Sequence, residues 1–258
     1  MPEDRHSGNK AQTPAPAAVP QNAAPANKMT PSPGPQTLSS KAGGLDYSYK
    51  WPAEAAAIPA LNIWLRGNAE KLLAENRAAA KEAQVEAKAN DFPYHDYSYE
   101  EEYATVADTP RMLVLLSSGY VYTGGAHGMP IATAILWDKA AQKRLATTVL
   151  IDLPRFAALA KKRFCAELDR QRAEKRGEPV RHDDPNELSD FVQCVELTKQ
   201  LVLPVSKGGK ALDNMRVVIG PYEAGPYAEG SYQIDLPLDA GLLATVQPRY
   251  RDVFAAAR

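Results

Sequence analysis

The sequence has no surplus of charge and no long apolar run, and both absences narrow its function. Thirty Lys and Arg residues stand against thirty-one Asp and Glu residues, which leaves a net charge of −1. Binding to a phosphate backbone needs clustered positive charge, so nucleic-acid binding is not expected. No apolar stretch approaches the roughly 18 to 20 residues that span a bilayer, and residues 1–10 lack the apolar core of a secretory signal. The chain as given is therefore predicted to be soluble.

The sequence also lacks the motifs of several common catalytic sites. It has no His-Glu-x-x-His or Cys-x-x-Cys motif to hold zinc, and its four histidines are not clustered. It has neither a Gly-x-Ser-x-Gly nucleophile elbow nor a Gly-x-Gly-x-x-Gly motif between a strand and a helix. We interpret the Gly-rich stretch at 207–210 as a loop. The sequence therefore predicts no metal, no cofactor and no catalytic residue.

Cysteine is scarce, because Cys165 and Cys194 are the only two. Both lie beside apolar stripes of two predicted neighbouring helices. They can form one disulfide that closes a loop of about 30 residues, with a stabilisation of about 3 to 4 kcal/mol, and such bridges belong to oxidising compartments. The residues leave open that both are reduced and act as small apolar side chains in a cytosolic protein.

Proline, in contrast, is abundant and is concentrated near the N-terminus. Residues 1–44 contain eight of the 21 prolines and no Phe, Tyr or Trp. Such a segment cannot bury enough surface to offset its ordering entropy. We predict a disordered Ala/Pro/Ser-rich tether that holds a folded domain away from a membrane, with Met1 an internal start downstream of a signal or lipid anchor. The alternative is a cytoplasmic protein with a disordered tail.

Hydrophobic periodicity predicts a mixed fold after residue 44. Apolar residues spaced by three or four indicate a long helix over 58–90. Alternating tyrosines at 97–104 and apolar runs at 112–122 and 131–137 indicate strands, and their short links favour an antiparallel meander.

A second half is predicted to begin near residue 146. One helix begins at Asp152, and Asp184-Pro185-Asn186-Glu187 resembles a capping box that begins another. Three strands are predicted to follow, at 201–205, 214–219 and 231–236. A short C-terminal helix is predicted around 241–257. The predicted fold class is thus α+β, with antiparallel sheets packed on a long N-terminal helix and on two helices of the C-terminal half. The predicted subdomains are 45–145 and 146–258.

Two segments are unusual in composition. In 120–127 a strand ends in a Gly-Gly pair, which places Thr123 and His127 on a tight connection. In 220–230 prolines and glycines fix the backbone, and two tyrosines can pack the loop down. Loops of this kind either brace strands or present a recognition surface.

These segments carry a family resemblance. Tyr-Thr-Gly-Gly-Ala-His at 122–127 and Pro-Tyr-Glu-Ala-Gly-Pro-Tyr-Ala-Glu-Gly at 221–230 resemble the signatures of PdaC/RsiV-like extracytoplasmic domains. The resemblance covers about 45–250, with a PdaC-like first half and an RsiV-like second half. It implies an α+β envelope domain that is anchored by a lipid or a membrane helix.

The resemblance also implies a binding role. Such domains occur beside polysaccharide-deacetylase domains that act on peptidoglycan, and in anti-sigma factors whose outer domain senses lysozyme by binding it. This sequence has neither a deacetylase domain nor a membrane helix, so membrane association is expected only through an anchor missing from this chain. We transfer no catalytic residue from the family.

We therefore predict a non-enzymatic, periplasmic or extracytoplasmic binding module that recognises peptidoglycan or a muramidase such as lysozyme. Lysozyme is basic, so acidic side chains are expected to steer it. These acidic residues are Glu100, Glu101, Glu102, Glu223 and Glu229. The candidate binding residues are Tyr122, Thr123, His127, Tyr222, Glu223, Tyr227 and Glu229. The alternatives are an envelope hydrolase that uses His127 as a base with Thr123 or a nearby acid, and a purely structural domain.

Overall fold

The computed structural model describes residues 33–183 and 189–257. Residues 1–32 of the predicted tether and the predicted capping box at 184–187 lie outside the described residues. Within the described part, no helix is both long enough and apolar enough to cross a membrane. The predicted α+β class is confirmed, and every named strand pair but one is antiparallel.

Seven strands form the larger sheet. They are β1 (Gln36–Ala42), β2 (Leu45–Trp51), β3 (Tyr97–Asp108), β4 (Met112–Tyr122), β5 (Met129–Ile131), β6 (Ala134–Asp138) and β7 (Lys143–Leu145). Their order is β1-β2-β3-β4-β6-β7, and β5 also pairs with β4. The pair β2 and β3 is parallel, because a long helix crosses over between them.

Strand β1 corrects the predicted boundary of the disordered tail at residue 44. It pairs along its whole length with β2, and the hairpin turns at Gly43 and Gly44, whose φ angles are 64° and 75°. Two consecutive positive φ angles suit glycine and match the twist of a hairpin. Leu38 is the only large apolar residue of β1. Composition missed the strand because its order comes from backbone pairing with β2 and not from burial.

Two helices follow β2, and they cover one face of the larger sheet through a layer rich in tyrosine. They are α1 (Ala53–Ala56) and α2 (Pro59–Ala89). The Tyr47 hydroxyl donates to the Ala69 carbonyl at 2.7 Å, and Trp51 Nε1 donates to Asn62 Oδ1 at 2.8 Å. These bonds satisfy the polar ends of aromatic side chains that are otherwise buried.

Strand β4 faces two cores at once. Leu113 and Leu115 belong to the core under α2, whereas Met112, Val114 and Leu116 belong to the core of the C-terminal half. Because both of its faces are covered, this stretch is apolar without alternation.

The C-terminal half builds its core from a smaller antiparallel sheet, in the order β10-β9-β8, and from one long helix. Its elements are α3 (Thr147–Leu150), α4 (Leu153–Arg176), α5 (Ser189–Val192), β8 (Leu201–Val205), β9 (Asn214–Ile219), β10 (Tyr232–Pro237) and α6 (Ala240–Leu243). Turns of 3-10 helix occur at Leu197–Lys199, Tyr227–Glu229 and Pro248–Val253.

Helix α4 begins where its sequence predicts. The Asp152 side chain caps it by accepting from the Arg155 backbone N–H at 3.1 Å, and Gly177 ends it with a φ of 77°. The second predicted helix differs, since the described part of it is the single turn α5. The predicted C-terminal helix at 241–257 is also wrong, because α6 and a 3-10 helix take its place.

The predicted disulfide between Cys165 and Cys194 is confirmed, with Cα atoms 5.4 Å apart. Cys165 lies on α4, and Cys194 follows α5 in irregular backbone instead of the predicted helix. The bridge fixes the segment after α5 against α4.

Candidate binding face

The two segments that stand out in the sequence meet in the fold. The imidazole of His127 stacks on the ring of Tyr227, with centroids 4.1 Å apart, and the ring of Tyr222 lies 5.6 Å from that of Tyr227. The Tyr222 hydroxyl is 3.4 Å from His127 Nε2. Tyr120 of β4 joins them through Gly128. We call Tyr120, His127, Tyr222 and Tyr227 the tyrosine–histidine face.

Gly128 connects the two segments. Its backbone N–H donates to the Tyr120 hydroxyl at 2.8 Å, and its carbonyl accepts from the Tyr227 hydroxyl at 2.8 Å. A Cβ atom at this position would lie 2.5 Å from the Tyr120 ring, so only glycine fits. Desolvation and then the neighbouring Tyr120 phenol raise the pKa of Tyr227. A tyrosine phenol is protonated near neutral pH, so Tyr227 donates to the Gly128 carbonyl there.

Tyr222 has a backbone conformation that bulky residues seldom adopt. Its φ is 67°, which costs a non-glycine residue about 1 to 2 kcal/mol. Its side chain is nevertheless 49% exposed, so burial of the ring does not account for the strain. Strain that places an aromatic ring outward is typical of ligand-contacting positions.

Three other predicted residues lie beside this face without joining it. Tyr122 ends β4 and is half-buried, whereas Thr123 and Glu223 are exposed. None of these three side chains forms a hydrogen bond with another described residue.

Glu229 is turned into the protein, contrary to its predicted role in steering a basic partner. Arg176 holds its carboxylate through two hydrogen bonds of 2.8 and 3.2 Å, and the Tyr232 hydroxyl donates to it as well. Gly225 lies so close that a Cβ there would collide with this carboxylate. Glu229 therefore shapes the loop from inside, and its sequence neighbours gave no signal of this because Arg176 is 53 residues away.

Two arginines at the end of α4 tie the tyrosine-bearing loop to the segment held by the disulfide. Arg172 donates to the Ala224 carbonyl at 2.9 Å and to the Val192 carbonyl at 3.2 Å, and Arg176 also donates to the Phe191 carbonyl at 3.0 Å. Desolvation lowers the pKa of the buried Arg172 guanidinium, and its ion pair with Asp169 opposes this shift. These contacts give the loop a fixed position on α4.

Replacing Arg176 with alanine is expected to lower the free energy of unfolding by about 2 to 3 kcal/mol, because Glu229 would lose its ion pair while largely buried. Arg170→Ala is the matched control on the same helix, since Arg170 pairs with Glu167 and Glu174 in solvent and its loss should cost less than about 0.5 kcal/mol. Urea unfolding measures both variants, and faster hydrogen exchange over 220–231 should accompany only the first. Equal losses of stability in the two variants would show that the ion pair between Arg176 and Glu229 does not hold the loop.

A groove of about 370 Å³ adjoins the tyrosine–histidine face between the loop and the disulfide-held segment. We call it the Tyr222 groove. Its lining is mostly polar, with two amides, two carboxylates and one ammonium group beside the aromatic ring. The lining residues are Gln193, Cys194, Val195, Glu196, Lys199, Gln200, Tyr222 and Glu223.

The contacts of His127 differ from those that the alternative hydrolase would need. Its Nδ1 lies 3.0 Å from the carbonyl of Gly128, and its Nε2 faces the Tyr222 hydroxyl. Within the described part of the chain, no carboxylate pairs with His127 and Thr123 does not hydrogen-bond to it. Nor do three or more His, Cys, Asp or Glu side chains of that part come together where they could hold a metal ion.

The sequence predicts Glu101 to be one of the steering acids, but the structure buries it under α2 with only 3% of its surface exposed. The Tyr99 hydroxyl donates to its Oε2 and the Thr133 hydroxyl to its Oε1, each at 2.7 Å. Tyr103 and Ser117 lie 2.6 and 3.0 Å from the same Thr133 hydroxyl. Burial, followed by the hydrogen bond to Glu101, raises the pKa of Tyr99. Glu101 therefore joins β3, β4 and the link before β6 from inside and is closed to a partner.

Comparisons with known proteins agree with this architecture. Residues 39–130 match the family model described as Deacetylase PdaC. A crystal structure of a DUF3298 family protein from Pseudomonas aeruginosa PAO1 is 18% identical, with a TM-score of 0.52 over 89% of this chain and 99% of that chain. A DUF3298 family member from Bacteroides fragilis NCTC 9343 is 13% identical, with a TM-score of 0.47 over 84% and 94% of the two chains.

No curated protein matches the sequence. The first of the two crystal structures shares the fold, and the matched segment contains β2 to β4 and the first of the two motifs. The predicted PdaC-like resemblance is therefore confirmed for residues 39–130, which match that family model, and the chain shares its fold with a DUF3298 protein.

Proposed function

We propose that this protein is a non-enzymatic cell-envelope module that binds the glycan strands of peptidoglycan through the tyrosine–histidine face. The observation that carries the proposal is Tyr222, an exposed aromatic residue in a strained backbone conformation at the meeting point of both motifs. Strain of this kind persists where the surroundings enforce it and where function uses it.

The chemistry of the surface suits a saccharide. Sugar rings present C–H faces that pack on aromatic rings, and their hydroxyls need donors and acceptors in fixed positions. Tyr222 supplies an exposed ring, and the Tyr222 groove beside it supplies the amides of Gln193 and Gln200. Arg172 and Arg176 hold both walls in place, so little order has to be gained on binding.

An extracytoplasmic location is part of the proposal. The disulfide supports it, because structural disulfides persist in oxidising compartments. We propose that the Pro-rich N-terminal residues act as a tether between the folded domain and a membrane. The matched family model bears the name of a deacetylase, but we propose no deacetylation here, because the proposal rests on a binding surface without an assembled acid–base pair.

Lysozyme is the second candidate partner. Two of the five predicted steering acids, Glu101 and Glu229, are turned inward. The other three are exposed, and they are Glu100, Glu102 and Glu223. Glu100 and Glu102 line a shallow cavity of about 270 Å³ next to Tyr120, so a basic protein docked there would also reach the tyrosine–histidine face.

The test is co-sedimentation of the protein with purified peptidoglycan sacculi. Tyr222→Gly should reduce binding by about tenfold or more, because central aromatic residues dominate interface energies. Glycine accepts the same φ, so the free energy of unfolding should stay within about 1 kcal/mol of the original value. Phe92→Ala, which removes an exposed aromatic ring outside the face, is the control and should bind normally.

Parallel retention on immobilised lysozyme separates the two candidate partners. Salt-sensitive retention that Glu100→Gln and Glu102→Gln weaken, without binding to sacculi, would favour the muramidase. If neither sacculi nor lysozyme retains the protein at low salt, the proposed function is wrong.

A further inference from the structure

A second cavity lies away from the tyrosine–histidine face and shares no residue with it. It has a volume of about 500 Å³ and is bounded by the loop between β8 and β9, the end of β10 and the C-terminal residues 255–257. Its lining residues are Lys207, Gly208, Lys210, Ala211, Asp213, Asn214, Pro237, Ala255, Ala256 and Ala257. We call it the dilysine pocket.

Two lysine side chains give this pocket positive charge. Lys207 and Lys210 are exposed, and neither forms an ion pair with an acid of the described residues. The nearest lining acid, Asp213, already accepts at its Oδ1 from the Lys207 backbone N–H at 3.1 Å and from Asn214 Nδ2 at 2.7 Å. One acid stands against two ammonium groups in the lining, so the pocket favours an anion.

The loop that carries the lysines is fixed in place. Its turn passes through Gly209, whose φ is 68° and whose N–H donates to the Ser206 hydroxyl at 2.9 Å. Together with the bond from the Lys207 N–H to Asp213, this contact sets the two lysines at either end of the turn. The backbone that carries the two lysines is thus fixed.

Asn214 supplies an independent sign of a missing partner. Its side chain is 1% exposed, and its Oδ1 accepts no hydrogen bond in the described structure. A buried acceptor without a donor costs about 1 to 3 kcal/mol, and proteins seldom leave one so. Asn214 is a lining residue of the pocket, so its Oδ1 would accept from a ligand N–H if the amide turned toward the cavity.

The remaining wall is formed by small apolar groups. The C-terminal segment is held at both ends, because the Ala255 N–H donates to the Leu212 carbonyl at 3.0 Å and the Ala257 N–H to the Leu238 carbonyl at 2.9 Å. Between these bonds the segment presents methyl groups, and Pro237 faces them across the cavity. Such a wall fits a small apolar side chain.

We propose that the dilysine pocket binds a carboxylate that lies next to an amide N–H and a small apolar side chain, as at the carboxyl end of a short alanine-like peptide. The carboxylate pairs with Lys207 and Lys210, the N–H donates to Asn214, and the methyl groups pack on the alanine wall. The pocket is a binding site separate from the tyrosine–histidine face, and this inference does not depend on the proposed function.

Nuclear magnetic resonance titration of the full chain tests the assignment. The probes are N-acetyl-alanyl-alanine in its L,L and D,D forms, its carboxamide, and propionate. We expect either acid form of the peptide to shift the amide signals of Gly208, Gly209 and residues 255–257, with a dissociation constant of about 1 mM or below. The carboxamide should bind about tenfold more weakly, because it lacks the charge.

Two double variants complete the test. Lys207→Ala with Lys210→Ala should weaken binding of the peptide acid by about tenfold. Lys81→Ala with Lys88→Ala removes the same charge from the exposed side of α2 and should leave binding unchanged. Propionate that binds as tightly as the peptide would assign the pocket to free small acids and overturn the peptide part of the proposal. The absence of shifts up to about 10 mM, or equal binding of acid and carboxamide, would overturn it altogether.

Discussion

Glu101→Ala is expected to lower the free energy of unfolding by about 3 kcal/mol. The substitution removes the acceptor of two hydrogen bonds, from Tyr99 and Thr133, and leaves the buried Tyr99 hydroxyl without this partner. It also opens a cavity beneath α2, where neighbouring side chains are already packed. Urea denaturation followed by tryptophan fluorescence measures the loss, since Trp51 and Trp137 belong to the same core.

Glu100→Ala is the matched control, because Glu100 is the preceding residue of β3 and points to the exposed face of the sheet. Its loss should cost less than about 0.5 kcal/mol. Glu101→Gln should fall between the two, at about 1 to 2 kcal/mol, since the amide keeps one acceptor but sets its NH₂ against hydroxyls that now have to turn. If Glu100→Ala destabilises as much as Glu101→Ala, the buried carboxylate has no special part in the core.

Removal of the disulfide by Cys165→Ala with Cys194→Ala is expected to cost about 3 to 4 kcal/mol. The bridge closes a sequence separation of 29 residues, and this loop closure restricts the unfolded chain by an amount that grows with the logarithm of loop length. In a protein of this size the melting temperature should fall by about 10 °C. Calorimetry under non-reducing conditions measures the change.

Reduction of the original protein provides the control for the disulfide. A thiol reductant should lower its melting temperature to near that of the double variant and should leave the double variant unaffected. Binding to sacculi should weaken in parallel, because Cys194 lines the Tyr222 groove. If the double variant had the same melting temperature as the original protein, packing around α4 and not the covalent link would hold the segment after α5.

Much of the fold could be predicted because its signals are local. The period of α2, the Asp152 cap of α4 and the apolar run of β4 each reflect how a short stretch meets its surroundings. Strand β1 could not be predicted from composition, since its polar residues gain order from pairing with β2. The helix predicted around α5 is too long, because a capping pattern indicates where a helix begins and not how far it extends.

The candidate site was predictable only in part. The two glycine- and tyrosine-rich motifs identified the loops that meet at His127, Tyr222 and Tyr227. The inward turn of Glu229 depends on a partner 53 residues away, which no local pattern reveals. Glu101 is different, because its alternation with Tyr99 and Tyr103 already put it on the aromatic face of β3. The period-two alternation of β3 was sufficient to predict that Glu101 is buried. The general expectation that acidic side chains face solvent gave the wrong prediction.

The double-sided burial of β4 has a consequence for modularity. A strand with no solvent face cannot lose the neighbours on either side without exposing Met112, Val114 and Leu116, or else Leu113 and Leu115. The PdaC-like segment ends at residue 130, before most of the chain that covers the first of these sets. A sequence family boundary and a cooperative unit thus do not coincide in this protein. If the segment were transplanted alone, β4 would expose one apolar face to solvent. Recombination between relatives would therefore have to exchange the elements that cover both faces of β4 together.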